Sequence, residues 1–328
     1  MRDHGGDLDR ALALHGAGDW LDLSTGINPV AYPLPPLPAS AWTALPAQEA
    51  HKALEATAQA AFGAAAPVLA VAGAQAAIQL MPQLVPPGRA RVLGPTYNEH
   101  AAALAAMGWT VDTVATAEAL AGADLAVIVN PNNPDGRRMM PEALMGLAPQ
   151  VGLLVVDESF VDPEPDLSIL PHLGPAPANI LVLRSFGKFY GLAGVRLGFA
   201  VGAPHLVERL RRLAGPWPVS GPALVIGQAA LADRRWQQDT RSRLAADARR
   251  LDGLAAAAGW RLIGGTALFR TYDTGDAAAA QARLAQGRVW SRIFPWSRGW
   301  LRLGLAGSAG QWRQLERAFA PIGRRAGE

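Results

Sequence analysis

The sequence predicts an α/β protein in which a largely parallel sheet is covered by helices on both faces. Two patterns predict this class: short apolar runs bounded by Gly, Pro, Asn or Asp, and helix-like segments between those runs. The third observation is size, because the chain has 328 residues and half of its composition is hydrophobic. A chain of this length can bury a large core, and we expect it to divide into a large and a small domain.

The apolar runs are predicted as buried strands because each is short and most end at turn-forming residues. They cover residues 68–71, 91–93, 125–129, 153–156 and 180–183. Helix-like segments lie between them, at residues 49–62, 74–84, 99–107 and 141–147. This β/α alternation favours a parallel sheet. The proline-rich segment 32–46 is predicted as an extended connector.

The pattern changes after residue 222. One long alanine- and arginine-rich helical stretch is predicted to about residue 258, followed by strands at 260–263, 268–272 and 300–305. This order is typical of an α+β domain. We therefore expect a large domain at residues 30–220 and a small domain formed by residues 1–29 and 221–328.

Composition excludes several classes of function. The chain has no cysteine, which rules out disulfides, thiolate zinc sites and cysteine nucleophiles, and we expect no metal. The formal charge is only +3 and the arginines of the second half are scattered, so the sequence does not indicate nucleic-acid binding. No apolar run reaches about 18 residues and no basic-apolar leader is visible, so we expect a soluble cytoplasmic protein without a membrane segment.

The most informative segment is residues 185–198, where Lys188 lies among glycines and Arg196 follows eight residues later. A lysine amine can form a Schiff base with an aldehyde cofactor, and glycine lets the backbone approach a bulky ligand. An arginine fork suits a phosphate. The segment therefore suggests pyridoxal phosphate, and the alternative is an ordinary loop with a solvated lysine.

Other candidate residues follow predicted strands, where ligands of open α/β sheets bind. Ala74 and Gln75 open a helix after the first strand, and its free N–H groups suit a phosphate. Asn133 lies in a turn and can donate to a phenolate oxygen. Asp157 ends an apolar strand, where a carboxylate needs a partner such as a protonated ring nitrogen. Each residue alone also has an ordinary explanation: Ala74 and Gln75 start a helix, Asn133 lies in a polar turn, and Asp157 caps a helix or forms an ion pair. One shared explanation, a cofactor site, is favoured over these separate ones.

In this order, these residues resemble the fold-type I pyridoxal-phosphate enzymes over nearly the whole chain. The resemblance implies that Lys188 holds the cofactor aldehyde, Asp157 the pyridine nitrogen and Asn133 the ring hydroxyl. It places Tyr97 on the ring face, for which a core tyrosine is the alternative. The residues implied around the phosphate are Ala74, Gln75, Ser185 and Arg196. A homodimer is also implied.

Within that superfamily the chain resembles the histidinol-phosphate aminotransferases and, more closely, the threonine-phosphate decarboxylases of cobalamin biosynthesis. The closer resemblance lies in residues 4–6, 22–29 and 216–220 and in Phe160, where many aminotransferases carry a tyrosine. It implies decarboxylation of L-threonine O-3-phosphate to (R)-1-aminopropan-2-yl phosphate. The alternatives are a histidinol-phosphate-type aminotransferase and a non-catalytic partner in cobinamide assembly. A cobinamide-phosphate synthase is an implied partner.

A phosphorylated amino acid presents two anions, so two separated arginines are wanted. The resemblance matches Arg302 to the substrate carboxylate and Arg292 to the substrate phosphate. Asn28 is expected to assist at the carboxylate. His4 is expected at the phosphate if the amino-terminal arm folds over the site, and a mobile terminus is the alternative.

The chain departs from the wider family at two positions. Leu45 falls where relatives often have a tyrosine that reaches across the dimer to the phosphate, and Gly187 falls where many carry Ser or Thr. Each change removes a hydroxyl donor, and a hydrogen bond to a charged group contributes about 1.5–3 kcal/mol. We therefore expect the cofactor to bind, with an affinity that depends on other donors.

Overall fold

The computed structural model describes residues 4–175 and 179–320. By its internal contacts this chain forms two compact units. Of the described residues, those within 31–133 and 137–238 form the larger unit, and those of 4–30, 134–136 and 239–320 form the smaller unit. The predicted boundary at residue 220 differs from this division by one helix.

The strands are, in chain order, β1 (Leu21–Asp22), β2 (Val68–Val71), β3 (Arg89–Leu93), β4 (Thr110–Val114), β5 (Leu125–Val129), β6 (Leu153–Asp157), β7 (Ile180–Ser185), β8 (Gly198–Gly202), β9 (Arg261–Thr266), β10 (Phe269–Asp273), β11 (Val289–Trp290), β12 (Arg292–Phe294) and β13 (Ser297–Gly304). The helices are α1 (Leu8–His15), α2 (Ser40–Thr43), α3 (Gln48–Phe62), α4 (Ala74–Leu80), α5 (Glu99–Ala106), α6 (Pro141–Leu147), α7 (Phe186–Phe189), α8 (Pro204–Ala214), α9 (Gly221–Ala232), α10 (Arg234–Ala257), α11 (Ala277–Gln286) and α12 (Ala309–Phe319).

The larger unit is built on one sheet with the strand order β2-β8-β7-β6-β5-β3-β4. Strands β7, β6, β5, β3 and β4 are parallel, whereas β8 runs antiparallel to both of its neighbours. The central strands β5 and β6 are buried along their whole length, as expected for parallel strands covered on both faces. The predicted fold class is confirmed. Because β5, β6 and β7 are parallel, their carboxyl ends lie at the same edge of the sheet.

Strands β4 and β8 were not predicted, for different reasons. Strand β4 is an edge strand with mostly half-exposed or exposed residues, so it lacks the apolar run of a buried strand. Strand β8 begins and ends with glycine and directly follows the lysine segment, which reads as a loop. Its Gly198 is needed at its position, because a Cβ there would lie 2.4 Å from the backbone nitrogen of Ala74.

The long helical stretch predicted after residue 222 is two helices. Asp233 separates them: it ends α9, and its carboxylate accepts a hydrogen bond from the Trp236 backbone N–H at 3.0 Å at the start of α10. A side chain that caps the next helix favours such a break. Helix α9 packs on α3, since Gly227 faces Leu54 at a distance that leaves little room for a side chain. This packing places α9 in the larger unit.

The smaller unit contains the antiparallel sheet β12-β13-β10-β9 and the short parallel pair β1-β11. Strands β9, β10 and β13 correspond to the predicted strands within a few residues. Strand β1 pairs with β11 from Leu21 to Asp22, so the segment that follows Asp22 lies beside the start of β12. This pairing brings the amino-terminal residues to the strands that carry Arg292 and Arg302.

The first turn of α9 packs against α2, and this contact can be tested. A Cβ on Gly221 would lie 2.2 Å from the carbonyl oxygen of Ala41, so Gly221→Ala should lower the free energy of unfolding by about 1–3 kcal/mol. Gly253→Ala, in the exposed middle of α10 with open space around its Cβ, should instead raise it by about 0.5–1 kcal/mol. Denaturant unfolding measures both, and equal effects of the two substitutions would contradict the packing.

Candidate active site

The eight residues predicted around a cofactor all line one pocket in the larger unit. The pocket has a volume of about 160 Å³ and lies at the carboxyl ends of β5, β6 and β7. It is lined by Ala74, Gln75, Tyr97, Asn133, Asp157, Ser185, Lys188 and Arg196, together with Gly73 and Phe160. Residues far apart in sequence therefore meet because parallel strands end together.

One end of the pocket is suited to an anion. Helix α4 begins after Gly73, whose φ of +78° is in the region that favours glycine. A Cβ on Gly73 would lie 2.9 Å from Nη2 of Arg196, so the absent side chain lets the guanidinium reach the helix start. Arg196 itself has a φ of +56°, an uncommon conformation for a residue with a side chain. The first N–H groups of α4, Ser185 and Arg196 form a set of donors that fits a phosphate.

Asp157 also lines the pocket, and His100 contacts it. His100 Nε2 is 2.8 Å from Asp157 Oδ2, and the Ser159 backbone N–H donates to Oδ1 at 2.9 Å. Burial is the largest single effect and raises the pKa of Asp157, but the hydrogen bond and charge of His100 together with the hydrogen bonds of Ser159 outweigh it, so the pKa is lower than usual. Asp157 is therefore an anion in a buried place, which fits a protonated ring nitrogen.

Sequence reasoning missed His100. His100 is the second residue of α5, and Tyr97 precedes this helix. The available signal was its i, i+3 spacing from Tyr97, the predicted ring-stacking residue. The two rings are 6.1 Å apart and nearly perpendicular. Among the described residues, Nδ1 of His100 has no hydrogen-bond partner.

Tyr97 and Gln75 are joined by a hydrogen bond. The Tyr97 hydroxyl donates to Gln75 Oε1 at 3.1 Å, and Gln75 Nε2 donates to Glu99 Oε2 at 3.2 Å. The Gln75 side chain is thus engaged on both of its polar atoms. Its expected contribution to phosphate binding is therefore that of its backbone N–H group.

Lys188 belongs to the one-turn helix α7, which aromatic packing holds in place. Phe186 and Phe189 on either side of the lysine are buried, and Tyr190 is stacked between Phe186 and Trp236 with ring centroids 4.4 Å and 5.6 Å apart. Lys188 lines the pocket, with Nζ 5.7 Å from the centre of the Phe160 ring. The only other lysine of the chain, Lys52, is exposed on α3.

Close packing explains why position 187 carries glycine where many relatives carry Ser or Thr. A Cβ at this position would lie 2.8 Å from Cα of Ala193, a backbone atom that cannot move aside easily. Leu45 is 69% exposed and does not line the pocket. The chain therefore contributes no side-chain donor to the pocket from either position.

A buried ion cluster ties the ends of β6 and β7 together beside the pocket. Arg184 contacts both Glu158, at 3.4 Å, and Asp162. Burial raises the pKa of Glu158, while the charge of Arg184 opposes this change. The Ser168 hydroxyl and the Ile169 backbone N–H each donate to Glu158 at 2.7 Å. Asp157 precedes Glu158 in the sequence, and Ser185 follows Arg184. Both pocket residues therefore lie at strand ends that the Arg184–Glu158 ion pair connects.

The predicted substrate residues are in the smaller unit, and two of them are paired. Arg292 and Arg302 lie directly opposite on β12 and β13, where like charges are unfavourable. Burial lowers the pKa of Arg302, and the charge of Arg292 lowers it further, with Asp22 opposing. Arg302 Nη2 donates to the Ser24 carbonyl at 2.6 Å. An anion bound to this pair would relieve the repulsion.

The amino-terminal arm lies near Arg302. The Gly6 backbone N–H donates to Ser24 Oγ at 2.7 Å, and a Cβ on Gly5 would lie 3.4 Å from Arg302 Nη2. His4 is exposed. Asn28 is buried, and its Oδ1 accepts from the Val30 backbone N–H and from Arg243. Arg243, on α10, therefore contacts a predicted site residue.

No group of three or more His, Asp or Glu residues within 4–175 and 179–320 is arranged to hold a metal ion. In the same part of the chain, no helix is both long and apolar enough to cross a membrane.

The fold and the lysine pocket together define a fold-type I pyridoxal-phosphate enzyme. The profile of the aminotransferase class I and II family matches residues 37–319. The chain is 44% identical to a threonine-phosphate decarboxylase from Sinorhizobium sp and 42% identical to one from Pseudomonas aeruginosa, in each case over 97% of both chains. It therefore belongs to the class I and II aminotransferases and, among them, to the family of the threonine-phosphate decarboxylases.

A solved structure is similar in fold. The histidinol-phosphate aminotransferase from Sinorhizobium meliloti, in complex with pyridoxal-5'-phosphate, has a TM-score of 0.78 and covers 97% of this chain and 95% of its own. Its sequence identity is 19%, so the likeness concerns the fold.

The contact between His100 and Asp157 leads to a test on the cofactor. His100→Phe removes the hydrogen bond and charge that lower the pKa of Asp157, while burial, which raises it, remains. Asp157 should then be protonated at a higher pH and lose the charge that, in its predicted role, would pair with the ring nitrogen. We expect the dissociation constant of pyridoxal phosphate at pH 7 to rise about tenfold, as for one pKa unit.

Cofactor absorbance after equilibrium dialysis at several pH values measures this effect. In the parent protein, affinity should fall only as the pH drops through the lowered pKa of Asp157, and in the variant the fall should begin at higher pH. His205→Phe, at an exposed position of α8, is the control. An unchanged affinity and pH profile in His100→Phe would refute the role given to His100.

Proposed function

We propose that this protein decarboxylates L-threonine O-3-phosphate to (R)-1-aminopropan-2-yl phosphate with pyridoxal phosphate as cofactor, the step that supplies the aminopropanol linker of cobalamin. The observation that carries the proposal is the identity of 44% and 42% over 97% of the chain. The lysine pocket supports it, because Lys188, Asp157 and Arg196 line one cavity. Such a pocket also argues against a purely non-catalytic partner.

When bound, pyridoxal phosphate withdraws electrons from a bond at Cα of an amino acid. The residues of the chain determine how it is held. Lys188 would hold the aldehyde carbon, Asp157 the ring nitrogen and Asn133 the ring hydroxyl, while Tyr97 would lie on the ring face. The donors around the phosphate would be Ser185, Arg196 and the backbone N–H groups of Ala74 and Gln75.

Arg302 and Arg292 would bind the two anions of the substrate. A guanidinium binds a carboxylate or a phosphate with paired hydrogen bonds, and an anion would stabilise the pair formed by buried Arg302 and half-buried Arg292. Arg302 at the carboxylate would set which bond of Cα is broken. Carbon dioxide then leaves, and a proton must be returned to Cα, for which Lys188 Nζ is the proposed donor. His4 is proposed at the substrate phosphate.

The assay of this function uses the purified protein, pyridoxal phosphate and O-phospho-L-threonine. We expect one carbon dioxide per amine phosphate formed, without an added oxo acid. Strict dependence on 2-oxoglutarate, with no carbon dioxide, would instead indicate an aminotransferase. Lys188→Ala should lower the rate by about 10²-fold to 10⁴-fold, whereas Lys52→Ala should not change it.

We also propose that the enzyme is a cytoplasmic homodimer. The larger unit has an apolar groove of about 800 Å³ next to the pocket, since Ala193 lines both. Large apolar side chains exposed along the groove are Leu34 (61%), Trp42 (68%), Leu45 (69%) and Trp217 (55%). A cluster of this kind indicates an interaction surface. A cobinamide-phosphate synthase, which would consume the amine phosphate, stays a proposed partner.

A charge placed in the groove tests the dimer. Trp42→Glu should bury a carboxylate in the apolar contact and shift the protein to the monomer, as measured by light scattering after size-exclusion chromatography. Trp296→Glu, at a tryptophan of similar exposure (53%) in the smaller unit, is the control. If Trp42→Glu keeps the dimer intact, the groove is not the contact surface.

A further inference from the structure

Asp22 holds the residue whose carbonyl binds the guanidinium of Arg302. Its Oδ1 atom accepts two hydrogen bonds from Ser24, one from the backbone N–H at 2.8 Å and one from the hydroxyl at 2.6 Å. The Ser24 carbonyl in turn accepts from Arg302 Nη2 at 2.6 Å. A single carboxylate is therefore connected, through one serine, to the arginine that is predicted at the substrate carboxylate.

Close packing fixes the Ser24 carbonyl in this place. Ser24 is 1% exposed, and a Cβ on Gly5 would lie 2.3 Å from its carbonyl oxygen. The Ser24 hydroxyl donates to Asp22 and accepts from the Gly6 backbone N–H at 2.7 Å, so it is engaged in both directions. Asp22 is itself placed by the pairing of β1 with β11. All of these contacts lie within the smaller unit.

Asp22 also acts on Arg302 through its charge. Burial and the charge of Arg292 lower the pKa of Arg302 to about 9, and the charge of Asp22 opposes this change. The cationic guanidinium is the form that binds a carboxylate strongly, with paired hydrogen bonds. Asp22 therefore favours both the position and the charged form of Arg302 that such binding requires.

We propose that Asp22 is a positioning residue that directs the Arg302 guanidinium, through Ser24, at the carboxylate of the substrate. This inference rests on the proposed function, in which Arg302 binds that carboxylate. A guanidinium with weaker support can turn out of the plane in which it forms two parallel hydrogen bonds with a carboxylate. The charge of Asp22 adds to this effect, because it keeps Arg302 cationic. Asp22 thus contributes to the preference for a ligand with a carboxylate by acting on Arg302.

Substrate and product form a matched pair of probes for the holoenzyme, because (R)-1-aminopropan-2-yl phosphate has lost the carboxylate. Asp22→Ala removes the acceptor of both Ser24 bonds and should raise KM for O-phospho-L-threonine about tenfold, the effect of about 1.4 kcal/mol, with kcat changed less. The inhibition constant of the product should stay within about twofold. Asp19→Ala, at an exposed carboxylate three residues earlier, should leave both constants unchanged.

A variant of the same shape separates geometry from charge. Asp22→Asn keeps an oxygen that accepts from Ser24, so it should recover most of the affinity at pH 7, and it keeps the test available if Asp22→Ala does not fold. Substrate affinity of the parent should fall as the pH rises through the pKa of Arg302, about 9. Without the charge of Asp22 that pKa is lower, so the fall in Asp22→Asn should begin at lower pH. Titration of the substrate amine affects parent and variant alike.

A double variant tests whether Asp22 acts through Arg302. In an Arg302→Gln background, Asp22→Ala should add little to KM, because the two residues act through one contact to the substrate. If their effects on KM multiply instead, they act independently and the inference is wrong.

The remaining outcomes separate the inference from the function. If the parent protein releases carbon dioxide but Asp22→Ala leaves KM unchanged, or weakens substrate and product equally, the inference fails and the function stands. The same holds if Asp22→Asn raises KM as much as Asp22→Ala at pH 7, because the contact with Ser24 is then not the cause. An unshifted pH profile in Asp22→Asn would contradict the effect of charge. If the parent protein releases no carbon dioxide, the proposed function itself is wrong.

Discussion

The structure of the larger unit depends on keeping one charged carboxylate at the buried end of its central strand. Asp157 ends β6, and a buried anion there would be costly without partners. His100 from α5 and the backbone of Ser159 provide them. These contacts stabilise the charged form of Asp157. The carboxylate is therefore suited to a cationic ring nitrogen. Around this point the parallel strands bring the other pocket residues together.

The elements beside Asp157 are fixed by two further kinds of contact. Arg184 joins Glu158 and Asp162 across the ends of β6 and β7, which steadies the strand that leads to Ser185. Aromatic stacking of Tyr190 on Phe186 and Trp236 holds the helix that carries Lys188. Charge therefore fixes the strand ends, and packing fixes the lysine. A cofactor with a ring, an aldehyde and a phosphate meets a surface arranged before it binds.

The smaller unit uses the opposite principle, because it places two like charges on neighbouring strands. Arg292 and Arg302 lie opposite each other, and the strand pairing that puts them there also brings in the segment with Ser24 and Asn28. Such a pair favours a ligand with negative charge.

The sequence by itself determined the fold class, the strands that carry the pocket and the residues that line it. This was possible because buried parallel strands are continuous apolar runs, and their ends are marked by polar residues and glycine. Tertiary structure alone decided the rest: that α9 packs on α3 in the larger unit, that His100 holds Asp157, and that Arg243 holds Asn28. Each of these contacts joins two residues that are far apart in sequence, and their distance in space depends on how separate elements pack.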